Sequence, residues 1–168
     1  MDLKEMLEDA LDPVVRNPII VKAVCLVLSL INLLCISAGE ATFGVGISLF
    51  IGIFSLAVSC IIIGVVASDL QLTISNIKFF KYLKPNGEFK WSDIQYTYGL
   101  ILASFNFIGI LMNAALATNI HGRPYGVAAF FSCFLFLAFI IEALIALYEE
   151  NVEDSERESL RPSNYSEV

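Results

Sequence analysis

Residues 126–147 read GVAAFFSCFLFLAFIIEALIAL, an apolar run with one charged residue. A helix needs about 20 such residues to cross a bilayer. Three further apolar runs of similar length occupy residues 19–38, 43–67 and 97–118. The sequence therefore predicts an all-α membrane protein with a bundle of four transmembrane helices.

The composition of the whole chain supports the same fold class. Of 168 residues, 57% are hydrophobic and 16% are charged, which is more apolar surface than a soluble domain of this size can bury. A polar, acidic segment, residues 1–17, precedes the first run. Because that run is too long for a signal-peptide core and lacks a clear small-residue cleavage site, we predict a retained signal anchor.

The placement of lysine and arginine orients the four spans. If the N-terminus is cytosolic, the outer loops hold one basic residue, Arg123, and the cytosolic side holds the others that lie outside the spans. These others are Lys4, Arg16, Lys78, Lys81, Lys84, Lys90, Arg157 and Arg161. Because basic loops stay on the cytosolic side, both termini are predicted to be cytosolic. The outer connections, residues 39–42 and 119–125, are then very short.

Two cytosolic segments flank the predicted bundle, which spans residues 18–148. Residues 1–17 contain apolar side chains at helical spacing, and we predict a short amphipathic helix at residues 2–11. This helix either lies on its own bundle or the lipid surface, or docks a cytosolic partner. Residues 149–168 are acidic and poor in apolar residues, which predicts a disordered tail.

The loop between the second and third spans combines aromatic rings with lysines. Aromatic rings prefer the headgroup boundary, and ammonium groups meet lipid phosphates there. Tyr96 and Tyr98 mark the interface where the third span begins. The predicted interfacial lipid contacts are Lys78, Phe79, Phe80, Lys81, Tyr82, Lys84 and Trp91. Generic anchoring and phosphoinositide recognition both remain open.

Small and polar residues recur at helical spacing inside the spans. Such residues allow close helix approach and hydrogen bonds between helices. We call one such set the polar seam: Asn32, Ser48, Gly52, Ser55, Ser59, Asn106 and Asn113. The spacing predicts one inward and one lipid-facing side for each span, in a compact left-handed bundle. A substrate pathway would use similar residues, although this set is too sparse for a water-filled pore.

Glu142 is the charged residue of the fourth span. It lies about six residues, roughly 9 Å, from the cytosolic end, where an ionised carboxylate is costly unless it is paired. Lys22, about four residues into the first span, lies at similar depth on the same side. We therefore predict that the first and fourth helices pack with Lys22 near Glu142. A protonated or water-reaching Glu142, and a proton-relay or transport role, are the alternatives.

The sequence contains no pattern typical of catalysis. The only histidine, His121, has no nearby cysteine or acid to form a metal site or a nucleophilic pair. The four cysteines lie inside the spans, which does not support a disulfide framework. We predict no enzymatic activity, no cofactor, no metal site and no nucleic-acid partner.

The C-terminus carries two short patterns. Ser166, Glu167 and Val168 resemble a class I PDZ ligand, in which the peptide adds a strand to a sheet edge and backbone amides hold its carboxylate. Tyr165 begins a tyrosine-x-x-apolar pattern that resembles an endocytic sorting signal. The corresponding partners are a PDZ protein or a sorting adaptor.

The layout of four spans, short outer loops and a longer basic-aromatic inner loop resembles the MARVEL-domain family. The last span, residues 126–148, is similar to the Ala-Ala-x-Phe-then-apolar last helix of that family. Arg16-Asn17-Pro18 resembles the Arg-x-Pro start of synaptogyrin-like members. The resemblance covers about residues 13–150. The outer loops are much shorter than those of junctional members, and they lack the Trp and Cys pair of claudins.

The resemblance implies a non-enzymatic role in vesicle trafficking, membrane apposition or the organisation of membrane domains. The bundle would contact membrane lipid, form a homo-oligomer or gather partners, and recruit sorting or scaffold proteins. Its location would be the plasma membrane or a secretory or endocytic vesicle. The alternative is a small channel, transporter or accessory subunit that uses Glu142, Asn32, Asn106 and Asn113.

Overall fold

The computed structural model describes residues 18–41, 43–75, 90–118 and 123–159. These residues form helices α1 (Pro18–Ser37), α2 (Val45–Ala67), α3 (Gln71–Ser75), α4 (Trp91–Ala117) and α5 (Arg123–Ser159). The described part of the chain contains no strand. Because α1, α2, α4 and α5 are each long and apolar enough to cross a membrane, the predicted all-α bundle of four spans is confirmed.

The four long helices form a ring in chain order. Helix α1 packs on α2 and α5, α2 also packs on α4, and α4 and α5 share the most extensive contact. At one end of the ring, Ile36 and Leu116 near the ends of α1 and α4 meet Val45 and Tyr125 near the starts of α2 and α5. Neighbouring helices are therefore antiparallel, as the short connections from α1 to α2 and from α4 to α5 require for those pairs.

The surface of the bundle is apolar and its interior contains polar groups. Large side chains such as Leu34, Phe50 and Leu111 are each more than half exposed. Several Ser and Asn side chains, by contrast, are buried between the helices. An apolar surface of this extent needs cover, and lipid supplies it around helices of this length. The chain is a multi-pass integral membrane protein.

Gly99 allows a close approach between α4 and α5. A Cβ atom added at Gly99 would lie 3.2 Å from both the Cβ of Ala143 and the carbonyl oxygen of Phe139. Phe139 also belongs to a buried cluster with Cys25 and Leu102. Without a hydrophobic drive between helices in lipid, such close contact supplies much of the association energy.

Two helices are longer than the predicted spans. Helix α4 begins at Trp91, where the Asp93 carboxylate accepts a 2.9 Å hydrogen bond from the Lys90 backbone N–H. Helix α5 continues to Ser159, so the prediction of disorder is wrong for residues 149–159. This stretch is rich in glutamate, a good helix former, and no glycine or proline follows Gly126 until Pro162. The span therefore propagates as helix into the tail.

The loop between α1 and α2 is held against the start of α5. The Tyr125 hydroxyl donates a hydrogen bond to the carbonyl oxygen of Glu40. Gly39 lies so close to the ring that a Cβ atom there would overlap it. This end of the bundle is therefore closed by a short loop that packs on the helices.

We expect Gly99→Val to separate α4 from α5, because two helices cannot approach closely around a branched side chain. The free energy of unfolding, measured in detergent, should fall by roughly 1–3 kcal/mol. The matched control is Gly64→Val, since a Cβ at Gly64 meets no described atom within 4 Å. Equal losses in the two variants would contradict the packing described for Gly99.

Candidate functional site

Three polar side chains from three helices form a buried cluster, which we call the polar triad: Lys22 of α1, Tyr98 of α4 and Glu142 of α5. Lys22 Nζ forms an ion pair with Glu142 Oε1 and donates a 2.9 Å hydrogen bond to Tyr98 Oη. The Tyr98 hydroxyl donates to the same Glu142 oxygen. One carboxylate oxygen thus receives a cationic and a neutral donor.

The antiparallel ring brings the triad to one level of the bundle. Lys22 and Tyr98 lie near the starts of α1 and α4, whereas Glu142 lies near the end of the apolar part of α5. Neighbouring helices that run in opposite directions place these positions side by side. We call this end of the bundle the Lys22 end. The structure thus brings together Lys22 and Glu142, as their depths in the sequence predict.

Burial makes each member of the pair depend on the other. Lys22 and Glu142 are both 3% exposed, and an isolated charge at such a position is costly in lipid. The Lys22 ammonium also donates a hydrogen bond to Tyr98 Oη, so the ion pair and this bond both hold the lysine inside the bundle.

Tyr98 is the member of the polar triad that the sequence reasoning missed. Its position at the start of the third span suggested only an interfacial ring. A signal was present, because steps of four residues from the buried Asn106 pass through Leu102 and reach Tyr98. That spacing places all three on one helix face.

The polar seam residues lie inside the bundle, and some of them join neighbouring helices. Asn106 Nδ2 of α4 donates to Ser55 Oγ of α2 at 3.0 Å and to the Leu102 carbonyl oxygen at 2.8 Å. Buried amides that bond across a contact fix which faces meet. The Asn106 to Ser55 contact therefore specifies the register of α2 against α4.

A second polar contact joins three helices nearer the opposite end. Asn113 Nδ2 of α4 donates to Ser132 Oγ of α5 at 3.3 Å, and Ser132 Oγ donates to Asn32 Oδ1 of α1 at 3.4 Å. Ser132 was not among the predicted seam residues. It is the only hydroxyl residue in the run 126–147, which is the signal that could have identified it.

The remaining seam residues are buried but make different contacts. A Cβ atom at Gly52 would lie 3.2 Å from Leu33 Cδ1, so this glycine lets α2 approach α1. The hydroxyls of Ser48 and Ser59, like that of Ser29 in α1, have no hydrogen-bond partner among the described residues. The seam therefore contains both satisfied and unsatisfied polar groups.

Several predicted site residues lie outside the described part of the chain. These are the amphipathic segment at residues 2–11, the lipid-contact residues 78–82 and 84, and the C-terminal residues 166–168. Trp91, the last of the lipid-contact set, is half-buried as the first residue of α4. It lies at the Lys22 end of the bundle.

The described residues offer little chemistry beyond polar contacts. No group of three His, Cys, Asp or Glu side chains among them is placed to hold a metal ion. All four cysteines are unpaired. Cys25 is buried, whereas Cys60 and Cys133 are exposed on the surface of the bundle. Charged and hydroxyl groups of the polar triad and seam are thus the candidate functional groups.

Comparison of the chain with protein-family models, curated proteins and solved structures found no match. A functional proposal therefore depends on the residues and contacts of this chain.

We expect Glu142→Leu to destabilise the bundle, because it leaves the Lys22 ammonium buried without its counter-charge. Removing one partner of a buried pair costs about 3–5 kcal/mol. The double variant Lys22→Met/Glu142→Leu should recover most of this loss, since it buries no charge. The free energy of unfolding of each variant is measured in a mild detergent. A double variant as unstable as the sum of its two single variants would contradict the pairing.

We expect Asn106→Leu to weaken the contact between α2 and α4, since it removes the amide that bonds Ser55. Hydrogen bonds of this kind contribute about 0.6 kcal/mol and at most about 1.7 kcal/mol in membrane proteins. Ser104→Ala is the control, because the exposed Ser104 hydroxyl donates to the Leu100 carbonyl oxygen of its own helix. The interpretation fails if the control variant loses as much stability in the same unfolding assay.

Proposed function

We propose that this protein is a non-enzymatic organiser of membrane domains that acts in vesicle trafficking or membrane apposition and recruits cytosolic partners. The observation that carries the proposal is how the interior polar groups are used. Asn106 bonds Ser55, and Asn113 bonds Ser132, so these groups hold helices together. A transport pathway would instead need such groups to face a continuous water-filled space.

The surroundings of Glu142 support the same proposal. Glu142 is 3% exposed, and its carboxylate accepts hydrogen bonds from Lys22 and Tyr98. The cavity beside it has a volume of about 10 Å³ in which the centre of a water molecule fits. This is roughly the minimum that one water needs. A site of this size suits a structural contact better than a pathway for ions or solutes.

The distribution of chain outside the helices favours partners at the Lys22 end. The opposite end has short loops, residues 38–44 and 118–122, and the first of these packs against Tyr125. The Lys22 end carries the longer connection at residues 76–90 and both terminal segments. Under the positive-inside rule this end is cytosolic, where trafficking adaptors and scaffold proteins are found.

The extension of α5 supports a recruiting role for the C-terminus. The helix continues for eleven residues beyond Tyr148, which is roughly 16 Å along its axis at 1.5 Å per residue. The last nine residues, 160–168, therefore begin away from the membrane-spanning part. In PDZ recognition the peptide adds a strand to an edge of the domain's own sheet, and a tail that begins away from the membrane leaves room for that domain.

The resemblance to the MARVEL-domain family supports the proposal from the layout of the sequence. Four spans, short connections at one end and a basic-aromatic loop at the other are shared features. On that basis, the proposed membranes are the plasma membrane and secretory or endocytic vesicles. Self-association of the bundle within the lipid would concentrate the cytosolic segments.

A small channel, transporter or accessory subunit is the second candidate. The observation that favours it is the buried Lys22–Glu142 pair, because intramembrane charges often mark ion or proton pathways. The two functions differ in what they require of Glu142. Transport requires its charge, whereas an organiser needs only a folded bundle and its cytosolic segments.

We expect Val168→Gly in the full-length protein to remove scaffold neighbours in a proximity-labelling experiment, since the PDZ pocket would lose its apolar anchor. The matched control is Glu167→Gln, because the position between Ser166 and Val168 carries no pocket contact in this recognition mode.

Neutralising Lys78, Lys81 and Lys84 should change which cellular membrane contains the protein, because these lysines are predicted to contact anionic lipid.

Glu142→Gln separates the two candidate functions. An organiser keeps its neighbours and location in this variant, provided that the bundle folds. If Val168→Gly leaves the labelled neighbours unchanged, the proposal of a PDZ partner is wrong. A proton or ion flux through liposomes containing the purified protein, lost in Glu142→Gln, would replace the organiser with a transporter.

A further inference from the structure

Ser59 of α2 faces the polar triad without bonding to it directly. Its side chain is buried, with 6% of the residue exposed, and its hydroxyl has no hydrogen-bond partner in the described part of the chain. A buried hydroxyl without a partner costs free energy, because it has lost its hydrogen bonds to water. A ligand that satisfies this hydroxyl would therefore gain binding energy.

A small cavity separates Ser59 from the triad. Lys22, Ser59, Tyr98 and Glu142 supply its polar lining, and apolar side chains including Phe139 supply the rest. The cavity admits about 10 Å³ for the centre of a water molecule. One water needs about that much room and two to four polar partners, and both conditions are met.

The hydrogen-bonding capacity of the lining groups matches one water. The Lys22 ammonium has three donors, and its bonds to Tyr98 and Glu142 use two of them. The third can donate to a water oxygen. That water can then donate one hydrogen to Ser59 Oγ and the other to the Glu142 carboxylate, giving the three bonds typical of a buried water.

We propose that this cavity binds one structural water, which joins Ser59 to Lys22 and Glu142. The water ties α2 to a cluster that otherwise contains residues of α1, α4 and α5. All four spanning helices then share one hydrogen-bonded network at the Lys22 end. The inference is independent of the proposed organising function, because the same water would be required in a bundle with any activity.

A crystal structure of the full-length protein from a lipid mesophase, at a resolution that shows ordered water, tests the site directly. The expected result is a solvent peak within about 3.2 Å of both Ser59 Oγ and Lys22 Nζ. A cavity without a peak overturns the proposal. So does a Ser59 hydroxyl that bonds the backbone carbonyl one turn earlier in α2, the usual alternative for serine in a helix.

A stability comparison gives a second, independent test. Ser59→Ala should lower the midpoint of thermal unfolding by roughly 2–4 °C, the shift expected for the loss of about one hydrogen bond. The matched control is Ser48→Ala. Ser48 is also a buried serine of α2 without a described partner, but it does not line this cavity. Equal shifts in the two variants would overturn the water site.

Repeating the comparison in a protein without the Lys22–Glu142 pair distinguishes the water site from a local packing defect. In Lys22→Met/Glu142→Leu, the charged partners of the water are removed, so Ser59→Ala should cause little further loss. Ser48→Ala should have the same effect in both backgrounds. A Ser59→Ala shift that persists in the double variant would show that the serine acts through packing alone.

Discussion

The requirement that a charge inside lipid be paired governs this bundle. Lys22 and Glu142 are buried in α1 and α5, far apart in sequence, and each would be costly without the other. Their contact fixes the register of the first and last spanning helices. Tyr98 then brings α4 to the same level, because its hydroxyl can reach the shared carboxylate only there. The order and direction of the helices follow from these contacts and the short connections.

Elsewhere in the interior, weaker interactions than the ion pair join the helices. The hydrophobic effect does not drive helix association in lipid, so close contact and hydrogen bonds must hold the helices together. Gly99 lets α4 approach α5, while Asn106 bonds Ser55 and Asn113 bonds Ser132 at successive levels. The polar groups in these contacts join helices, which is the use that the proposed organising function requires of them. The proposed organising function therefore places its working surfaces on the lipid face and at the Lys22 end.

The sequence predicted what depends on local composition and depth. Apolar run length identified the four spans, and counting residues from the span ends placed Lys22 near Glu142. Spacing could have indicated that Tyr98 lies on the inward face of its helix, and Ser132 stands out as the only hydroxyl residue of its span. Their bonding partners depend on which helix faces them, which no single span encodes. The helical course of residues 149–159 was missed because charge content suggested disorder. Propagation from an already formed helix outweighs that tendency, since extending a helix is far easier than starting one.

The charge state of Glu142 inside the intact bundle tests this account most directly. Infrared difference spectroscopy of the wild-type protein against Glu142→Gln, both in lipid nanodiscs, reports the vibration that the substitution removes. The account predicts the loss of a carboxylate stretch, from an ionised Glu142 paired with Lys22. Loss of the carbonyl stretch of a protonated carboxylic acid would contradict the ion pair, and with it the interaction assigned to fix the helix register.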